Sequence, residues 1–285
     1  MKEHIENQLM SSLLLYVDHT VCKVGEAFSN HGSYFYPADT MFSSHFKCYS
    51  APFKQLVMDE SITNAQVMSG VYVGSTFTKP GEGSLNSINH TEGQVHFDYG
   101  YSSSSTISGN YSVKDFNIYL TSKAETELLF ETKFERKPKV SQVITGLAPN
   151  KQTYPCIFLR NNGGLNEPFA FGGMDMTKLN VRAVVLADSA FSRDAVCGIL
   201  KDSARDYLPI IEKNLLPFNA IGSYTGSAFN YETISATPMS QSNAAFIKDV
   251  TVTTNIPQYI NDNINPNVHS AMIDFYLEIP RMTNN

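Results

Sequence analysis

The chain has 285 residues, of which 42% are hydrophobic and 17% charged. That is enough apolar material for a real core, and it excludes disorder over the whole length. The net charge of −6 argues against a protein that coats nucleic acid, which would be basic.

Residues 3–28 read as an amphipathic helix, because Ile5, Leu9, Leu13, Val17, Val21 and Val24 recur three or four apart. Gly25, then Asn30 and Gly32, close it. Ser33 to Pro37 is extended, since the residue before a proline avoids the helical region. Residues 45–121 read as all-β. Val71, Val73 and Phe77, then Val95, Phe97 and Tyr99, alternate with small or polar residues, and Pro80 to Gly83 is a turn between them. The run Ser102 to Ser105 is a loop. Tyr111, Val113, Phe116, Ile118 and Leu120 resume the strand pattern, with a break at Lys114–Asp115 that reads as a bulge.

Two readings stay open for 122–135. One is a short helix capped by Ser122, with Glu125 as capping-box partner. The other is an exposed hairpin arm, because Phe130, Thr132 and Phe134 alternate. Lys137 to Asn150, with Pro138, Gly146 and Pro149, is a linker or loop. The remainder reads as α+β. Tyr154 to Leu159 is a buried strand, Asn161 to Gly164 a turn, and Lys178 to Ala187 a strand. Ser192 caps a helix running to about Tyr207, with Val196, Ile199, Leu200 and Ala204 on its stripe and Pro209 as its stop. Residues 214–243 are irregular. Phe246 to Thr254 and Met272 to Ile279 are strands, with an Asn-rich loop at Asn261 to Asn267 between them.

Motifs that carry chemistry are missing. There is neither a P-loop nor a dinucleotide fingerprint. Ser189 lies between a strand and a helix but lacks the G-x-S-x-G frame of a nucleophile elbow. Cys22, Cys48, Cys156 and Cys197 are far apart, with no zinc spacing, and read as buried free thiols. Asn89-His-Thr91 and Asn110-Tyr-Ser112 match the glycosylation pattern and read as chance. The expectation is therefore no catalytic residue, no cofactor, no metal and no membrane span. The tract Lys133 to Lys139 holds Lys133, Arg136, Lys137 and Lys139 around Glu135, and Tyr34, Phe35, Tyr36, Phe169 and Phe171 read as exposed aromatics. These features suit a subunit completed by its neighbours, with Phe130, Phe134, Arg136, Lys137, Phe169 and Phe171 as candidate interface residues.

At 154–282 the order of elements resembles the tail terminator proteins of contractile-tailed bacteriophages. Val181 to Leu186 followed by Phe191 to Leu208 is similar to that family's strand and helix, and Phe246 to Val250 and Ala271 to Leu277 to its late strands. Ala51 to Lys54, Gly70 to Val73, Gly93 to Phe97 and Asn110 to Phe116 resemble neck proteins of T4-like phages of marine, cyanophage type. The resemblance implies an α+β fold in which a terminator-like core of antiparallel strands packed with helices, 1–44 and 138–285, carries a β-rich insertion with a protruding arm at 45–137. It implies a non-enzymatic virion protein of the head–tail junction. Such a subunit forms a ring, commonly a hexamer, caps the tail tube and sheath, and binds neck or connector proteins while DNA passes through the lumen without sequence-specific contact. It sits in the virion neck or tail and, during assembly, in the host cytoplasm. An adaptor or stopper role, or a receptor- or carbohydrate-binding tail module, is the alternative.

Overall fold

A computed structural model describes residues 5–38, 44–102, 104–130, 135–136, 153–170, 173–219, 224–236, 244–254 and 268–282. Among them 47% lie in strands and 21% in helices. Two curled sheets organise the chain. Strands β1 (Phe28–Pro37), β2 (Phe46–Ser50), β3 (Val71–Val73), β4 (Thr76–Thr78), β5 (Leu85–Asn89), β6 (Gln94–Asp98) and β7 (Ile107–Lys114) form a seven-stranded antiparallel sheet in the order β4-β3-β7-β1-β2-β6-β5. Its concave side closes over Phe35, Leu85, Phe97, Tyr111 and Val113.

The second sheet has six strands. Its members are β8 (Asn117–Leu120), β11 (Cys156–Ala170), β12 (Met174–Ala187), β13 (Tyr207–Pro209), β14 (Ala244–Thr253) and β15 (His269–Met282), in the order β13-β14-β15-β12-β11-β8. All pairs are antiparallel except β8 with β11. Helices α1 (Ile5–Gly25) and α3 (Ala190–Lys201) cover one face, where Leu13, Val17, Leu200, Val181 and Phe275 are buried together. The short α2 (Glu125–Phe130) covers the other, through Leu128 and Leu129 against Phe158, Val184 and Leu186. Between α2 and β11, the two-residue strands β9 (Glu135–Arg136) and β10 (Thr153–Tyr154) pair in parallel. A single turn of helix, α4 (Tyr231–Ser235), follows β13.

The expected α+β class is overturned: this is a mostly β protein whose few helices cover sheet faces. Three local misreadings explain the difference. The expected turn at Asn161 to Gly164 is a bulge inside one continuous strand: Asn161 faces Val181, and Gly164 faces Leu179. Gly163 takes φ +91°, and a Cβ on Gly164 would lie 2.2 Å from the Lys178 carbonyl oxygen, so the bulge needs both glycines. The expected helix to Tyr207 stops at Lys201. Ser203 Oγ donates to the Leu200 carbonyl oxygen at 2.6 Å, Arg205 adopts φ +70°, and Tyr207 is then free to pair with Phe246 in β13–β14. Its cap is Ser189, which accepts from the Ser192 backbone N–H, not Ser192 itself. The break at Lys114–Asp115 is the end of β7, after which the chain crosses into the other sheet as β8. β1 is likewise placed centrally in the seven-stranded sheet.

Helix α1 joins the two sheets. It is apolar almost all round, as a fully packed helix must be, and its polar side chains find specific partners. Ser12 Oγ accepts from Ile211 N–H at 3.0 Å, Tyr16 donates to Asp206 at 3.0 Å, and Lys114 of β7 donates to Asp18. After Gly25 the left-handed residue is Glu26, at φ +46°. α3 packs closely against this end of α1, since a Cβ on Gly25 would stand 2.8 Å from Ile199 Cδ1.

Candidate functional site

Two surfaces stand out, and neither is built from one stretch of chain. The first is the far half of the β11–β12 ribbon. β8 pairs with β11 only over Cys156 to Leu159, and no described strand pairs with that edge beyond Leu159. The bulge adds one residue to β11, so it reverses which face the odd-numbered residues occupy. Ile157 and Leu159 point into the core, whereas Leu165 lies opposite Lys178 and is 53% exposed. Leu165 and the half-exposed Tyr276 line a groove of about 590 Å³ with Lys178, Asn180, Lys248 and Glu278. Charges flank it as pairs, Lys248 with Glu278 at 2.7 Å and Lys178 with Glu167. Phe169, further along the strand, is 55% exposed.

The second surface is a cleft of about 570 Å³ between the N-terminal turns of α3 and the start of β1. Glu26, Asp115 and Asp188 contribute three carboxylates, and among the described residues no lysine or arginine lines it. Phe53 and Phe116 form buried apolar walls, and the His31 ring lies tilted against Phe53 with centroids 4.5 Å apart. Phe191 stands beside them 84% exposed, the most exposed large apolar side chain described. α3 presents it there because Val196, Cys197 and Leu200 take the buried stripe.

One cluster has the composition of a hydrolytic triad without its geometry. His19 Nδ1 lies 2.7 Å from Asp59 Oδ2, but Ser61 Oγ donates to Asp59 Oδ1 at 2.6 Å rather than to the far nitrogen of His19. The His19 ring is stacked on Tyr231 with centroids 4.3 Å apart. Burial alone would raise the Asp59 carboxyl. Hydrogen bonds from His19, from Ser61 and from the backbone N–H groups of Tyr231 and Ser61 outweigh it and hold the group below its usual range. The cluster ties α1 to α4; His19 Nδ1 also lies 3.4 Å from Ser61 Oγ, so a single ring nitrogen faces both Asp59 and Ser61, whereas a triad uses opposite nitrogens for hydroxyl and carboxylate.

The four cysteines are buried free thiols. Burial pushes Cys22 and Cys156 far up and Cys197 up to about 11, the opposite of an activated nucleophile. Ser189 is occupied as the α3 cap. Among the described residues no group of three His, Cys, Asp or Glu side chains is placed to hold a metal ion. No described helix is long and apolar enough to cross a membrane.

Of the sequence-derived interface residues, Phe169 is exposed on the ribbon, and Arg136 lies in β9, paired along the backbone with Tyr154. Phe130 ends α2. Phe134, Lys137 and Phe171 lie outside the described residues. Among the other aromatics, Tyr34 is 56% exposed but Phe35 is buried in the seven-stranded sheet, because successive strand residues face opposite sides. Within the segment read as an arm, α2 buries Leu128 and Leu129 against the second sheet, and Arg182 holds Glu125 at 2.6 Å and Asp274 at 2.7 Å. Removing 123–136 would therefore uncover a face of the second sheet. Phe191, Leu165 and Glu26 escaped the sequence reading. Phe191 had a usable signal, since it falls off the apolar spacing of its own helix.

No known protein-family model matches the chain, and no curated protein is detectably similar to it in sequence.

Proposed function

We propose that the protein is a non-enzymatic virion subunit that assembles with copies of itself into a ring at the head–tail junction of a tailed phage. There it caps the tail tube and sheath and binds neck or connector proteins. The sequence resemblance supplies the phage context. The observation that favours assembly is the exposed ribbon face, where Leu165, Phe169 and Tyr276 leave large apolar side chains in solvent beyond the core. Such exposure on one face marks a surface that another protein covers. The strand edge beside it is guarded by the Gly163–Gly164 bulge and by Pro168, which has no N–H to offer, so the ribbon's face rather than its edge is the contact. Different patches meeting head to tail close into a ring when the rotation between copies allows it.

The test is the mass of the purified protein in solution, followed by negative-stain images of the same sample and of tail tubes incubated with it. The expected result is closed rings of about six copies, or decoration of one end of the tube. A compact trimer that ignores tubes would overturn the reading and favour a fibre or receptor-binding module.

A further inference from the structure

Beyond the ring contact, and independent of it, we infer that the outer face of the seven-stranded sheet binds an uncharged, extended polysaccharide chain. Register builds the site. Phe77 of β4 stands opposite Tyr72 of β3, Tyr72 opposite Ser108 of β7, and Ser108 opposite Tyr34 of β1. Directly opposed residues share a face, so the four form one row across four adjacent strands. The row looks away from the sheet's core, because Val71, Ile107 and Phe35, the neighbours of Tyr72, Ser108 and Tyr34 along their strands, are buried inside. Tyr34, Tyr72 and Phe77 are 56%, 41% and 40% exposed. Tyr36, two residues on from Tyr34, adds a half-buried fourth ring on the same side.

The surroundings choose the ligand. Residues 32–36, 70–78 and 106–110, which build this part of the sheet, include no charged residue, so they offer nothing to hold a phosphate backbone or a charged peptide. A protein-binding core adds Met and Arg to its aromatics. Here the rings are joined instead by Ser108 and Asn110, whose hydroxyl and amide both donate and accept, while the aliphatic Val71 and Ile107 point inward. A sugar ring asks for that mixture, laying its C–H face on an aromatic ring and turning its hydroxyls to polar side chains. Tyr34 and Tyr72 stand two strand spacings apart, about 10 Å, which is the separation of alternate rings in an extended β-1,4-linked chain. Phe77 lies along the sheet over Gly70 instead of standing up from it, since a Cβ on Gly70 would meet Phe77 Cζ at 2.7 Å. The Phe77 and Tyr72 rings are 5.1 Å apart and tilted by 58°, so the strip suits a twisted single chain, not a flat crystalline surface.

Cellohexaose and chitohexaose, titrated by calorimetry into the full chain, test the site, with polygalacturonate as the charged control. At least one hexasaccharide should bind, and polygalacturonate should not. Tyr34→Ala and Tyr72→Ala should each weaken binding at least roughly tenfold, while Tyr72→Phe, which keeps the ring, should stay within about threefold of the parent. Ser108→Glu, which sets a charge in the middle of the row, should abolish binding without removing a ring. The rings are exposed, so the alanine variants should unfold in urea at the parent's midpoint. No binding of either hexasaccharide, equal binding of polygalacturonate, or binding that survives both alanine changes overturns the site. So does a loss of self-association in the alanine variants when the parent binds no sugar, which would make the face a contact between proteins. A chain that binds sugar but never forms rings fails the ring reading alone, and rings that bind no sugar fail this inference alone.

Discussion

Lys114 Nζ donates to both carboxylate oxygens of Asp18, at 2.8 and 2.5 Å, and both side chains are almost wholly buried. The pair links α1 to the last residue of β7, and so links the helix of one sheet to a strand of the other. A buried ion pair adds little net stability over an apolar pair of similar volume, but removing one partner strands a charge. Asp18→Leu or Lys114→Met alone should lower unfolding free energy by about 3–5 kcal/mol. Asp18→Leu together with Lys114→Met should recover most of that loss. Urea unfolding of the four proteins gives the coupling. Additive losses in the double variant would mean that the two charges do not act as a pair.

Acid should weaken the fold in the range where histidines titrate. His90 is buried, with its ring nitrogens 2.7 and 3.0 Å from the carbonyl oxygens of Gly226 and Met68. Burial lowers its affinity for a proton, and the two carbonyls offset this only in part, so its pKa lies below the ordinary value; burial lowers His96 likewise. The unfolded chain therefore binds protons that the folded chain refuses, and stability rises with pH across that interval. Unfolding free energy should be flat between about pH 7 and pH 8, fall as pH drops through about 6.5, and level off once the folded histidines also titrate. His90→Gln should flatten part of that slope. Asp59 acts in a separate, lower window: its depressed carboxyl contributes stability above about pH 4 that is lost below it.

Gly93 occupies a position that no other residue fits. Its φ is +62°, and a Cβ would lie 2.0 Å from the Phe53 carbonyl oxygen, in the segment whose Ala51, Gln55 and Leu56 N–H groups donate to the carbonyls of Gly93, Thr91 and His90. Gly93→Ala should cost about 2 kcal/mol or more, from left-handed strain plus the displaced backbone. A thermal melt checks it. An unchanged midpoint would show that the Phe53 backbone moves aside freely.

Legibility in the sequence followed the range of the interaction. Helix α1 was readable because one apolar period of three to four residues runs from Ile5 to Val21. The turn at Gly81–Gly83 was readable from its own residues, both of which adopt positive φ. The α3 stop was not, because an arginine in the left-handed region carries no glycine signal and the release of Tyr207 is fixed by its partner Phe246, far along the chain. The bulge was hidden for a related reason. An Asn-Asn-Gly-Gly run scores as a turn until Leu179 and Val181 are seen to pair on either side of it. The acidic cleft takes Glu26, Phe53, Asp115 and Asp188 from four separate segments, so no local pattern announces it.

The ribbon face offers the most direct test of the assembly reading. Leu165 and Phe169 are more than half exposed, so their replacement removes little buried area from the subunit. Leu165→Lys with Phe169→Asp should leave unfolding free energy within about 0.5 kcal/mol of the parent. In an interface the same changes put charges into a desolvated apolar contact, which is far more costly. The variant should therefore fold, remain monomeric and fail to decorate tail tubes, with Phe191→Asp as a comparison on the other surface. If the ribbon variant assembles like the parent while the Phe191 variant does not, contact between copies runs through the cleft and the ribbon serves a different partner. If both assemble normally, neither exposed apolar surface holds the ring together, and the reading that rests on them fails.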